Sequence, residues 1–86
     1  MNAVNKIGQI ITHGDLQFPE RIPLHRVWEG KFEGCWLAKE PVALKGYSAA
    51  QCSCGDYTIS AGTVLKRRRS GDGYSFSQFE VVALPH

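Results

Sequence analysis

The sequence predicts a mainly β protein: a small single-domain barrel or rolled antiparallel sheet of about five strands, with one short helical turn. Three observations predict it. Helical periodicity is nearly absent, whereas apolar and polar residues alternate over several short stretches. Glycines and prolines interrupt those stretches at short intervals, as turns between strands require. The 86 residues leave room for one core and no second one, so residues 1–86 form a single domain.

Taken in order, Val4 to Thr12 reads as a first strand, ended by His13-Gly14-Asp15. Leu16 to Pro23 holds two prolines and reads as an extended connection. Leu24 to Glu29 and Phe32 to Lys39 read as strands on either side of Gly30-Lys31, with Pro41 breaking the second. Ser48 is a candidate N-cap for a short helical turn through Cys52, stopped by Gly55. Tyr57 to Ile59 is a brief strand. Thr63 to Arg69 and Tyr74 to Leu84 flank a glycine-rich turn and predict a hairpin over residues 63–84. In strand number and spacing the pattern is SH3- or OB-like, an analogy of pattern only.

The hairpin carries the strongest functional signal. Up to Gly62 the chain is neutral, with Lys6, Arg21, Arg26, Lys31, Lys39 and Lys45 balanced by Asp15, Glu20, Glu29, Glu33, Glu40 and Asp56. The formal excess of +2 comes from Lys66, Arg67, Arg68 and Arg69, set against Asp72 and Glu80. A turn at Gly71-Asp72 would pair Arg69 with Tyr74 and Arg67 with Phe76 on one face. Lys66 would then pair with Ser77, and Val64 with Phe79, on the other. The expected shape is a ribbon, apolar at its base and cationic at its tip, that projects from the domain.

Guanidinium groups neutralise phosphates and aromatic faces stack on bases, so Lys66, Arg67, Arg68, Arg69, Tyr74 and Phe76 point first to nucleic acid. An acidic protein surface is the alternative partner, with the chain as an inhibitor or adaptor of the kind carried by phages and mobile elements. The bland reading is a solvated basic edge that discourages sheet-to-sheet aggregation, with arginine–aromatic contacts kept internal.

Other chemistry is weakly signalled. Cys52 and Cys54 are one residue apart, closer than the usual spacing of zinc ligands, and with Cys35 they would need His13, His25 or His86 as a fourth donor. An odd cysteine count fits reduced thiols and a cytoplasmic setting. No metal or cofactor is expected. The carboxylates are scattered singly, and no nucleophile elbow, P-loop or dinucleotide fingerprint is present, so no enzymatic activity is expected. Asn5, Lys6, Gly8 and Gln9 break the start of the chain where a secretory segment would be apolar, and no stretch is long enough to cross a bilayer. Trp28 and Trp36 read as core residues, and a domain this small leaves room for a homodimer through an edge strand.

Overall fold

The computed structural model describes residues 2–45, 56–69 and 77–85. Among these the chain is mainly β, with eight strands and two 3-10 turns. The strands are β1 (Asn2–Val4), β2 (Ile10–His13), β3 (Leu24–Arg26), β4 (Trp36–Ala38), β5 (Val42–Leu44), β6 (Tyr57–Ile59), β7 (Val64–Arg69) and β8 (Ser77–Ala83). They form a five-stranded antiparallel sheet in the order β2-β8-β7-β4-β3 and a three-stranded sheet in the order β1-β6-β5. In the smaller sheet β1 runs parallel to β6, while β5 and β6 are antiparallel. The larger sheet is open among the described residues: β2 and β3 are its edges and do not pair with each other. A rolled sheet is thus what forms, and the closed-barrel alternative is corrected.

One core lies between the sheets, because alternation turns every second residue inward. Val4, Val42, Leu44 and Ile59 come from the small sheet. Ile11, Leu24, Ala38, Leu65, Phe79 and Val81 come from the large one, and Leu16 from the first 3-10 turn. In β8 the pattern is regular, with Ser77, Phe79 and Val81 buried.

Several predicted elements change. The first strand is two, since Gly8 adopts a φ of +89° and turns the chain between β1 and β2. The proline-containing connection winds into 3-10 turns at Gly14–Gln17 and Pro19–Arg21; Pro19 sits at the start of the second turn, where a missing N–H costs nothing. The hairpin around Gly30 forms, but its paired strands are only β3 and β4. Val42–Leu44, which follows Pro41, is a strand that the alternation is too short to announce. The predicted helical turn at Ser48–Cys52 lies outside the described residues.

His13 holds three parts of the fold together. It is fully buried, and its Nδ1 accepts a bond from the Asp15 N–H at 3.0 Å, capping the first 3-10 turn. That bond leaves the proton on Nε2, which donates to the Lys45 carbonyl at 2.7 Å. Its ring meets Tyr57 of β6 edge-on, with centroids 6.4 Å apart.

Candidate functional site: the outer face of the basic strand

The β7–β8 register differs from the one the glycine turn predicts. Lys66 lies opposite Glu80, Arg67 opposite Phe79 and Arg69 opposite Gln78. Arg67 therefore does not pair with Phe76, nor Arg69 with Tyr74, and Val64 faces Ala83 rather than Phe79. The physical reason is burial. Phe79 is the largest fully buried side chain among the described residues, and Ser77, Phe79 and Val81 are buried together with Leu65, which lies opposite Val81; that pairing differs from the predicted one by three residues, an odd number, which exchanges the faces of β7 that meet Phe79. Residues 70–76, with Tyr74 and Phe76, lie outside the described residues.

The slip divides the four cations. Arg67 turns inward, half-buried, with its guanidinium carbon 5.4 Å from the centre of the Phe79 ring. Its Nη2 donates to the carbonyls of Leu16 and Gln17 at 3.5 and 3.4 Å, long and weak bonds that tie β7 to the first 3-10 turn. Its Nε is buried without a hydrogen-bond partner. Arg67 thus acts as a half-buried strut, a role for which the sequence offered only a different aromatic partner.

The other three cations face out. Pairing with Glu80 puts Lys66 on the solvent side of the sheet. Between Arg67 and Arg69 the register shifts by one residue, which makes Arg68 the extra residue of a β-bulge. The bulge returns Arg69 to the face of Gln78 and Lys66, against strict alternation. Arg68 Nε lies 3.7 Å from Glu80 Oε1 in an exposed ion pair worth at most about 1 kcal/mol. Lys66, Arg68 and Arg69 consequently share one exposed face, with Glu80 among them. The strands that carry this face lie within the sheet, β7 at its centre, and β2 flanks β8 up to Ser77.

Toward the start of β7 and the end of β8 lies an apolar groove of about 680 Å³. Ile7, Phe32, Val64, Val82 and Leu84 line it, with Lys31 as its charged member. Ile7 is 61% exposed. Sequence reading missed this groove because its members come from four separate stretches of chain.

Trp28 is a further correction. It is 75% exposed, since β3 ends at Arg26 and the chain leaves the core before Trp28. Trp36 does pack against the core. Arg26 lies over both indoles, 5.2 Å from Trp28 and 5.9 Å from Trp36.

The thiol and histidine candidates do not come together among the described residues. Cys35 is buried and free, His13 is bonded within the fold, and His25 is exposed. Among the described residues no three His, Cys, Asp or Glu side chains form a metal-binding group; Cys52, Cys54 and His86 lie outside them.

Arg67 can be separated from its neighbours by mutation. Arg67→Ala is expected to lower stability by about 1–2 kcal/mol, because it strips the stem from the Phe79 ring and the 3-10 carbonyls. Arg67→Met keeps the stem and removes the unpartnered Nε, so its stability should stay within about 0.5 kcal/mol of the parent. Urea midpoints of the two variants check this.

Compared with family models, curated proteins and solved structures, the chain shows no match.

Proposed function

We propose that this chain is a non-enzymatic binding module that holds an anionic partner, nucleic acid in first place, on the outer face of β7 and β8. The observation that supports this reading is the bulge at Arg68, which gathers Lys66, Arg68 and Arg69 on one exposed face and leaves Arg67 as their internal support. Cations grouped in this way release counterions when they meet phosphates, and that release makes binding strongly salt-dependent. Tyr74 and Phe76, which follow Gly71-Asp72-Gly73 in sequence, complete the proposed site as stacking residues. We place the protein in the cytoplasm, where its thiols stay reduced. No helix among the described residues is long and apolar enough to cross a membrane.

The test is oligonucleotide affinity measured across a salt series, with Lys66→Gln plus Arg69→Gln as the variant. Both side chains are exposed, so the fold is kept. The expected result is a loss of affinity of at least about tenfold and a log–log salt slope shallower by roughly one to two. Unchanged affinity in that variant removes the assigned site.

A second reading has its own observation. The groove formed by Ile7, Phe32, Val64, Val82 and Leu84 lies on the same sheet as the basic face, and nucleic acid makes little use of such an apolar surface. An acidic protein partner with an apolar ridge uses both. Under this reading the parent binds no oligonucleotide, and capture of a defined acidic protein fails after Lys66→Glu plus Arg69→Glu.

A further inference from the structure

The edge strand β3 lies along a groove of about 800 Å³ that the basic face does not use. Ile22, Pro23, Trp28 and Trp36 form its apolar part, and Glu20, Arg21, Arg26 and Glu40 its charged part. Three of its properties point to the same occupant.

The first is the backbone. Ala38 uses its N–H and carbonyl to bond toward β7, through Thr63 and Gly62. Ala38 pairs with Leu24, and Trp36 with Arg26, so the bonds from β3 to β4 fall on His25, and the neighbouring Val27 continues them by donating to the Cys35 carbonyl. Leu24 and Arg26 therefore direct their N–H and carbonyl groups away from β4, to the open edge. The Leu24 N–H is satisfied by the Ile22 carbonyl at 2.6 Å. The Arg26 N–H and the Leu24 carbonyl remain as an edge donor and an edge acceptor two residues apart.

The second is Trp28. Its indole is exposed while Arg26 holds it through a stack that runs back to the core-packed Trp36. A rigid, exposed aromatic beside an open strand edge is surface that association covers at little entropic cost.

The third is charge. The groove carries two carboxylates and two guanidinium groups, Glu20 and Glu40 against Arg21 and Arg26. This balance has no net attraction for phosphate or for an acidic surface. A two-fold rotation centred on His25 sets the end of β3 that carries Glu20 and Glu40 toward Arg26 of the other copy, acids against a guanidinium.

We infer that β3 is the seam of a homodimer, in which the β3 edges of two copies pair antiparallel and join their sheets. A register centred on His25 sets Arg26 of each copy opposite Leu24 of the other. The Arg26 N–H then donates to the Leu24 carbonyl across the seam, twice by symmetry, and no arginine stands directly opposite an arginine. Trp28 of each copy becomes covered. The dimer also carries two basic faces, so a long anionic partner meets both at once.

The experiment is sedimentation of the full chain, without oligonucleotide, from about 1 to 200 μM, together with tryptophan emission. The expected result is twice the chain mass at the upper end, dissociation on dilution, and a blue shift of emission as the dimer forms. Trp28→Ser, and separately Glu20→Arg plus Glu40→Arg, should each weaken dimerisation at least about tenfold while leaving the circular dichroism of the dilute protein unchanged. All three residues are exposed, so folding is preserved. A chain that stays monomeric throughout overturns the inference, as does a dimer that both variants leave intact. If the monomer's Trp28 is quenched by an oligonucleotide, more strongly after Glu20→Arg plus Glu40→Arg, the groove is a nucleic-acid site and the dimer is excluded. Because the masses are measured without nucleic acid, failure of the dimer and failure of the basic face are separate results.

Discussion

Phe79→Ala is expected to remove about 3–5 kcal/mol of stability, the largest loss of any single truncation among the described residues. Phe79 is fully buried at the middle of β8, opposite Ile11 of β2 and Arg67 of β7. Its removal empties the centre of the larger sheet and takes away the ring on which the Arg67 guanidinium rests. A domain of this size is stable by roughly 4–13 kcal/mol, so at the lower end of that range the loss is enough to unfold the variant. Phe79→Leu, which keeps most of the volume, should lose about 1–1.5 kcal/mol. Thermal and urea unfolding of the two variants check the difference. A loss under about 1 kcal/mol for Phe79→Ala would contradict the burial of Phe79 at the centre of the larger sheet.

Gly62→Ala is expected to cost about 2–4 kcal/mol, and about half of that cost depends on one neighbour. Gly62 has a φ of +95°, which a side chain disfavours by about 1–2 kcal/mol. A Cβ there would also stand 2.9 Å from Pro85 Cβ and 3.4 Å from Pro85 Cα. The proline ring cannot rotate away, so the end of the chain must shift. The turn itself is well tied: the Gly62 N–H donates to the Ala38 carbonyl at 2.7 Å, and the Ala38 N–H donates to the Thr63 carbonyl at 2.9 Å. Gly30 provides the control. Its φ is +91° with no atom near the position of an added Cβ, so Gly30→Ala should cost only the conformational part, about 1–2 kcal/mol. Equal losses in the two variants would show that contact with Pro85 contributes nothing.

The candidate site was legible in composition but not in geometry. Lys66 to Arg69 stand out in any reading of this chain, because nothing else offsets its neutrality. Which of them faces a partner depends on register, and a two-residue turn at Gly71-Asp72 is the simplest inference from the sequence. Register is decided instead by the side chains with most to gain from burial. Phe79 and Val81 go inward, Arg67 goes with them, and the bulge at Arg68 restores Arg69 to the outside. Trp28 shows the converse. A tryptophan in a strand-like stretch is expected in the core, but the pairing of β3 ends two residues before it.

By itself the sequence determined that the protein is mainly β, that β3 and β4 form a hairpin around Gly30, that Tyr57–Ile59 is a strand, and that the positive charge sits on β7. All of these rest on local quantities: alternation, turn residues and charge run within a few positions of each other along the chain. Only the tertiary structure decided that β1 lies parallel to β6, more than fifty residues away, and that the sheet stays open at β2 and β3. It also decided that His13 is buried between two sheets and that one arginine of four is a strut. Those outcomes turn on which distant apolar faces cover one another, and burial is a property of the assembled core that no window of sequence contains.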